Sequence, residues 1–337
     1  MIPRLDIHFS FCQQLQFLFE KPYSPDNGTY LLNHSRTAIL LALKSAGLPQ
    51  GAGIGVMAYN CHTVFNAVEQ AGCVPVFLDI TESMTLDFED FKRKASSMSA
   101  IVITHLFGIV NDVKQIKSAF PDLIIIEDCA HAYGIEQLYG DFATFSIGQG
   151  KLPSIGDGGI LKVLNDKYND TVKRLYSSLP EYSKIQSAKL FLSLFSKSLM
   201  HSRCIYGWFT LKLKRMRKVP SGKEIITQKR MCKGISAIYA KEKDSIILLI
   251  ESKKRNAQRL IASLPKGVNS YFIGTNAFML VLLCDSIKQI QAYYRKKGID
   301  TDTHFAHSLL WAKEFGYVDG SCPKAEKLRN ELLVVPT

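Results

Sequence analysis

Residues 123–134 read LIIIEDCAHAYG, and this stretch decides the fold class. Its first half, Leu123–Asp128, is a continuous run of branched apolar residues that ends on acids, which is typical of a strand buried on both faces. Similar runs at Gly53–Tyr59, Val74–Ile80 and Ser99–Gly108 alternate with helical patterns. The alternation predicts an α/β fold with a mixed, mostly parallel sheet sandwiched by helices.

The pattern changes in the last third of the chain. A long helical pattern at Ser245–Leu264 precedes an apolar run at Asn276–Cys284 and a second helical pattern at Ser286–Ile299. We therefore expect a large domain over residues 1–240 and a smaller α+β domain over residues 241–337.

Positive charge is concentrated in one part of the chain. The net charge of the 337 residues is +12, but residues 161–260 hold 23 Lys and Arg against 7 Asp and Glu. Within this block, residues 180–220 form a basic amphipathic insertion, with a predicted helix at Lys184–Met200. Such a block suits a phosphate-rich substrate, an anionic membrane or nucleic acid, and it is equally typical of a solvated surface.

Cysteine spacing and the N-terminal pattern bear on location. The 8 cysteines are scattered, without a CxxC pair or a Cys/His cluster, so we expect neither a metal site nor a disulfide framework. The N-terminus lacks the pattern of a signal peptide, and no apolar run is long enough for a membrane span. A cytoplasmic protein is the expectation.

The sequence HSRTAI at residues 34–39 opens the first strong helical pattern. Free backbone N–H groups, the Ser35 and Thr37 hydroxyls and the Arg36 guanidinium would together bind an anion, and phosphate suits them best. The alternative interpretation is that Ser35 only caps the helix.

Asp128 and His131 follow directly after the buried strand at Leu123–Asp128. A carboxylate at the carboxyl end of such a strand could hold a protonated ring nitrogen of a ligand. The alternative is a turn that Asp128 stabilises by capping.

Lys151 lies after another apolar run, among Gly148, Gly150, Gly156 and Gly158. A lysine in a partly dry site loses its proton more readily and becomes a nucleophile toward aldehydes. For a lysine considered alone, an exposed structural role is the better interpretation.

The order of these three features favours chemistry over the structural alternatives. A phosphate site, an acid and a lysine on one α/β sheet are the groups that pyridoxal 5′-phosphate requires for its phosphate, ring nitrogen and aldehyde. The sequence by itself therefore predicts this cofactor.

Five segments in order resemble the DegT/StrS family of pyridoxal-phosphate sugar aminotransferases, which have fold type I. The segments are HSRTAI, MAYNCHTVFNAVEQAGCVPVFLDI, EDCAHAYG, GDFATFSIGQGK and GDGG, within residues 30–160. The resemblance continues more loosely in GIDTDTHFAHS and NELLVVPT near the C-terminus.

The resemblance implies a role for each matching residue. Lys151 would bond to the cofactor aldehyde and move the substrate proton, Asp128 would keep the ring nitrogen protonated, and His131 would lie near the phenolic oxygen. Ser146 would bind the phosphate together with Ser35, Arg36 and Thr37. Tyr59 or His62, from the YNCH segment, would stack on the ring. Relatives with histidine in place of the lysine resemble dehydratases, so Lys151 favours transamination.

The resemblance implies an aminotransferase that converts a nucleotide-linked keto sugar to an amino sugar for polysaccharide, lipopolysaccharide or antibiotic biosynthesis. Glutamate is the expected amino donor, and a homodimer with shared active sites is the expected assembly. The alternative is a catalytically silent scaffold or regulator, held at the inner membrane face by the basic helix. A dimer interface explains that helix better than a membrane contact does. Nucleic-acid binding is not expected, because no recognition module is present.

Overall fold

The structure is a computed structural model, and it describes residues 1–3, 7, 9–210 and 221–337. The basic run at residues 211–218 lies outside the described residues. The strands are β1 (Thr29–Leu32), β2 (Gly53–Met57), β3 (Val74–Leu78), β4 (Ala100–Thr104), β5 (Ile124–Asp128), β6 (Phe142–Ser146), β7 (Gly159–Val163), β8 (Val268–Ile273), β9 (Met279–Cys284) and β10 (Leu332–Pro336).

Helices surround these strands. They are α1 (Phe11–Phe19), α2 (Ser35–Ser45), α3 (His62–Gln70), α4 (Phe88–Lys94), α5 (Val113–Ala119), α6 (Asn169–Ser177), α7 (Lys184–Met200), α8 (Arg203–Ile205), α9 (Lys233–Glu242), α10 (Ile246–Ile261), α11 (Ile287–Lys296), α12 (Ser308–Lys313) and α13 (Pro323–Leu328). Short 3₁₀ turns occur at Ala95–Ser97, Leu106–Gly108, Asp166–Tyr168 and Lys243–Ser245, and a π-helical turn at Tyr206–Thr210.

A large sheet of seven strands has the order β1-β7-β6-β5-β4-β2-β3. The five strands from β6 to β3 are parallel to one another, whereas β7 pairs antiparallel with both β6 and β1. Strands β4 and β6 are buried along their whole length, as expected for strands covered by helices on both faces. The predicted mixed, mostly parallel α/β sheet is confirmed.

Most of the predicted helices and strands begin or end a few residues away from the observed bounds. Helix α7 matches its prediction at both ends, since a capping box between Ser183 and Gln186 fixes its start. Strands β1, β7 and β8 were not predicted. Of these, β1 is only four residues long, and β7 begins within the glycine-rich segment.

A second sheet of three antiparallel strands has the order β10-β9-β8. Its middle strand, β9, is buried throughout, and α11 packs on it through Ile290 and Tyr294. Each of the two sheets lies wholly on one side of residue 240, but the domain boundary itself stays a prediction. Within the described part of the chain, no helix is long and apolar enough to cross a membrane.

The large sheet brings polar residues of separate strands to one edge. Thr104 ends β4, Asp128 ends β5 and Ser146 ends β6, and the register pairs Asp128 with Thr104 on one side and with Thr144 on the other. Since parallel strands end at the same edge, these side chains meet there.

Gly159, the first residue of β7, positions the start of α2 against this edge. A Cβ atom at Gly159 would lie only 2.2 Å from the His34 carbonyl carbon and 2.3 Å from the Ser35 nitrogen. Only glycine therefore lets the strand approach the helix start so closely.

We expect Gly159→Ala to lower the free energy of unfolding by about 1–3 kcal/mol, because the new methyl group must displace backbone. Chemical denaturation measures this. Gly148→Ala is the matched control, since its Cβ would lie at an ordinary 3.5 Å from Ser146 Oγ. An equal loss of stability in both variants would contradict the explanation.

Candidate functional site

A cavity of about 200 Å³ opens at the carboxyl edge of the parallel strands. Six of the nine site residues predicted from the sequence line it: Ser35, Arg36, Asp128, His131, Ser146 and Lys151. They come from the start of α2, the ends of β5 and β6 and the loop before β7. Residues far apart in the sequence are thereby brought into one small space.

Asp128 is buried at the inner wall of the cavity, with 3% of its surface exposed. Its carboxylate accepts hydrogen bonds from the Ala130 backbone N–H at 3.1 Å and the Thr104 hydroxyl at 3.0 Å. Burial raises the pKa of Asp128, while the Ala130 N–H and the charge of Lys151 act in the opposite direction. A cation bound beside the carboxylate would further offset the cost of burying its charge.

Lys151 and His131 are in direct contact. Lys151 Nζ lies 2.7 Å from His131 Nε2, and the other ring nitrogen of His131, Nδ1, accepts the Phe107 backbone N–H at 3.2 Å. His131 is 2% exposed. The amine is therefore held at the cavity by a buried imidazole.

Aromatic rings hold the imidazole of His131 in place. It stacks on Phe278 at 4.8 Å between ring centroids, on Phe107 at 5.7 Å and on Phe305 at 5.8 Å. Phe278 directly precedes β9, and Phe305 also belongs to the C-terminal part of the chain. The residues after 240 therefore complete the environment of the site.

Another part of the cavity lining suits an anion. The Ser35 hydroxyl oxygen is buried without a hydrogen-bond partner among the described residues, and no side chain caps the start of α2. Ser146 Oγ also faces the cavity and accepts the Gly148 N–H at a long 3.4 Å. Unsatisfied donors at a helix start, with two hydroxyls nearby, fit a phosphate group.

Arg36 and Thr37 make contacts of their own within the protein. Arg36 Nη1 forms an ion pair with Glu224 Oε1 at 2.9 Å, although Arg36 also lines the cavity. Thr37 does not line the cavity, and its hydroxyl donates to Asn33 Oδ1 at 2.9 Å. Their predicted part in phosphate binding stays a prediction.

Neither predicted ring-stacking residue lines the cavity. Tyr59 is fully buried, and its hydroxyl donates to the His304 carbonyl. The His62 ring lies 4.6 Å from that of Trp311. The neighbouring residues Asn60 and Cys61 line the cavity instead.

The polar support behind Asp128 was not predicted from the sequence. Thr104 donates to Asp128, and the Asn60 amide donates in turn to Thr104 Oγ1 at 2.8 Å. Asn60 follows one predicted strand and Thr104 is a polar residue within another, which is the signal that could have identified them. Glu127 points away from Asp128, to His105 at 3.1 Å and to the backbone N–H groups of Tyr139 and Gly140. Its role is therefore structural.

His34 and Asp157 form a second contact near the start of α2, with His34 Nε2 at 3.3 Å from Asp157 Oδ1; the His34 side chain is 38% exposed and that of Asp157 is 9% exposed. Burial lowers the pKa of His34 to about 4 and raises the pKa of Asp157 to about 6. A mutual attraction would shift both pKa values the other way, so the cost of burial outweighs it here. Between about pH 4 and about pH 6, His34 is therefore neutral and Asp157 is protonated, so neither group carries a charge.

The arrangement can support one kind of chemistry. An amine at Lys151 can attack an aldehyde, the Asp128 carboxylate can stabilise a cationic ring nitrogen, and the helix start can bind a phosphate. All three groups face the same cavity.

Comparison with known proteins gives matches over the same region. Residues 30–184 match the model of the DegT/DnrJ/EryC1/StrS aminotransferase family, which confirms the resemblance seen in the sequence over that part of the chain. GDP-perosamine synthase of Vibrio cholerae is 30% identical over 154 residues, which are 43% of this chain and 42% of that protein. L-glutamine:2-deoxy-scyllo-inosose aminotransferase of Streptomyces kanamyceticus is 33% identical over 134 residues, 36% of this chain and 31% of that protein.

The matched segment thus spans less than half the length of these curated relatives. Among solved structures, the sugar aminotransferase CalS13 of Micromonospora echinospora superposes with a TM-score of 0.73 at 14% identity, covering 100% of this chain and 94% of that one. This likeness confirms the predicted fold class, fold type I.

We expect Asp157→Asn to gain stability relative to the wild type as the pH rises from 5 to 8. The pKa of Asp157 is raised on folding, so its favourable contribution is present below the unfolded value and is lost as the pH passes about 6. The relative gain should be about 1–2 kcal/mol by denaturation at both pH values. A difference that is independent of pH would contradict the assignment.

Proposed function

We propose that the protein is a pyridoxal-phosphate-dependent aminotransferase that converts a nucleotide-linked keto sugar to an amino sugar, with glutamate as the amino donor. The products would serve polysaccharide, lipopolysaccharide or antibiotic biosynthesis. The observation that carries the proposal is that Lys151, Asp128 and the α2 start face one cavity of about 200 Å³. The expected cytoplasmic location is part of the proposal.

The chemistry of the lining residues fits this cofactor. The orphaned Ser35 hydroxyl and the uncapped start of α2 supply donors for a phosphate at one end. The Asp128 carboxylate lies at the inner wall, and the Lys151 amine lies within hydrogen-bond reach of His131. Amine, acid and anion site are the three contacts that the cofactor needs.

When bound, pyridoxal phosphate supplies an aldehyde that takes up an amine and a ring that accepts an electron pair. Lys151 Nζ would bind the aldehyde carbon and, once free again, would carry the substrate proton between the two reacting carbons. Asp128 would keep a proton on the ring nitrogen, and Thr104 and Ala130 would hold the carboxylate in place. His131 Nε2 would donate toward the phenolic oxygen.

The substrate class is taken from the relatives. GDP-perosamine synthase and dTDP-3-amino-3,4,6-trideoxy-alpha-D-glucose transaminase both carry a nucleotide in the name of their product. The excess of positive charge between residues 161 and 260 would attract a diphosphate. Both points support a nucleotide-linked sugar as the acceptor.

We expect wild-type protein mixed with pyridoxal phosphate to turn yellow and, after borohydride reduction, to carry the cofactor's mass on the peptide that contains Lys151. Lys151→Ala should lose the label and reduce transamination by roughly a thousandfold, since proton transfer loses its base. The measurements are visible absorption, peptide mass spectrometry and a glutamate-dependent assay on keto sugar nucleotides.

Lys162→Ala is the matched control, because Lys162 lies on β7 and does not line the cavity. It should keep both colour and label. Wild-type protein that takes up no cofactor, or that is labelled equally in Lys151→Ala, would contradict the proposed function.

We further propose that a second copy of the chain covers the α1/α7 face, the outer surface of helices α1 and α7. The two helices touch through Phe17 and Phe191, at 5.4 Å between ring centroids. Their outer surface carries large apolar side chains, with Phe11 72%, Phe19 78%, Ile185 70%, Leu192 63% and Phe195 47% exposed, beside the exposed Lys184, Lys189 and Lys197. Exposed apolar area of this kind marks an interaction surface. Contact with an anionic membrane is the competing explanation.

The double variant Leu192→Glu with Phe195→Glu should weaken self-association at least roughly tenfold, because it buries charge in the contact. Analytical ultracentrifugation measures the association. Val318→Glu, an apolar residue of the C-terminal part that is 69% exposed, is the matched control and should have no effect. If the wild type is monomeric and sediments with anionic liposomes, the proposed homodimer is wrong and a membrane contact explains this face.

A further inference from the structure

The hydrogen bonds of His131 determine which ring nitrogen carries its proton. Nδ1 lies 3.2 Å from the Phe107 backbone nitrogen, and a backbone N–H can only donate. Nδ1 must therefore accept, which excludes both the doubly protonated ring and the form protonated on Nδ1. The remaining form of the imidazole carries its proton on Nε2.

The same proton determines the state of Lys151. Nε2 lies 2.7 Å from Lys151 Nζ, so the Nε2–H points at that nitrogen and needs a lone pair there. An ammonium group has three donors and no acceptor. The contact between the two side chains is therefore compatible only with Lys151 as a free amine.

Some groups around His131 and Lys151 disfavour a positive charge on the pair, and others favour it. Phe107, Phe278 and Phe305 stack around the imidazole, and such apolar surroundings disfavour charge. The charged and titratable groups around the pair include Asp128, Arg36, His34 and Cys61 in this cavity, and His304, whose ring lies 5.5 Å from that of His131. Lys151 also lines a neighbouring cavity, together with Arg203, Glu242 and Lys253. Asp128 favours a charged lysine, but its carboxylate already accepts from the Ala130 N–H and the Thr104 hydroxyl.

The Phe107 N–H is held in place by the segment just before β9. Phe107 has a φ of 56°, a left-handed conformation that is unusual for a phenylalanine and needs support from its neighbours. A Cβ at Gly274 would lie 2.2 Å from the Gly108 carbonyl carbon, and Thr275 N donates to Gly108 O at 3.0 Å. Asn276 Nδ2 donates to the backbone oxygen of His131 at 3.0 Å.

We propose that the Phe107 N–H, acting through the Nε2–H of His131, holds Lys151 as a free amine in the cofactor-free protein. His131 is then a positioning residue for the lysine before any cofactor is bound. The inference rests on the proposed function, because a free amine at Lys151 is useful only if the residue attacks an aldehyde. The segment from Gly274 to Phe278 sets this state because it fixes both the turn and the imidazole.

The first test observes the proton directly. In cofactor-free protein labelled with ¹⁵N at histidine, the His131 signals are assigned by their loss in His131→Phe. We expect one neutral ring protonated on Nε2 at pH 7.5. A ring protonated on Nδ1, or on both nitrogens, would overturn the proposal.

The second test measures the amine. Trace acylation of cofactor-free protein at pH 7.5, followed by peptide mass spectrometry, gives the labelling rate of Lys151 relative to Lys288, an exposed residue of α11. His131→Phe keeps an aromatic ring in the stack but removes the donor, so we expect roughly tenfold slower labelling of Lys151. The pH of half-maximal labelling should rise by about one unit.

His131→Gln restores a side-chain N–H donor and should recover part of the labelling rate. Gly274→Ala leaves both side chains unchanged but displaces the turn, and it should slow the labelling in the same direction as His131→Phe. Unchanged labelling in His131→Phe would overturn the proposal, and so would full labelling in Gly274→Ala.

These readouts separate the inference from the proposed function. They use no cofactor, so they decide the state of Lys151 even if the protein takes up no pyridoxal phosphate. Conversely, normal cofactor uptake together with unchanged labelling in His131→Phe would overturn only the proton assignment.

Discussion

The site depends on one buried carboxylate, that of Asp128 at the end of β5. Burial disfavours the charged form of this group and raises its pKa. The Thr104 hydroxyl and the Ala130 N–H offset part of the cost, and the register of β4 against β5 places Thr104 beside Asp128. The sheet therefore keeps a carboxylate in a dry position where, in the proposed function, it would stabilise a cation on a bound ring.

The other groups of the site are arranged around this carboxylate by close backbone packing. Gly159 lets β7 pass against the first residues of α2, so the helix start and Ser35 face the cavity. The loop that carries Lys151 joins β6 to β7 and thus returns to the same edge. A rigid sheet edge with a loop on each side is a common way to place reactive groups precisely, because the strands cannot shift independently.

The residues after 240 contribute more than a separate small sheet. Phe278 and Phe305 stack on His131, while Gly274 and Asn276 hold the turn and the backbone around it. A change in the position of this segment would alter the hydrogen bond that fixes the His131 proton. The chemistry of Lys151 is thereby coupled to the packing between the two sheets.

The sequence by itself determined the fold class and the residues that are capable of chemistry. Buried strands and helix starts leave patterns in neighbouring residues, which can be recognised without knowing the rest of the structure. Asp128, His131 and Lys151 were identified in this way, and six of the nine predicted residues share the cavity. Only the tertiary structure decided the remaining contacts. Tyr59 and His62 turn away, Thr104 and Asn60 support Asp128, and rings from beyond residue 240 enclose His131. These contacts join residues far apart in the chain, and no local pattern encodes which distant side chain will fill a given space.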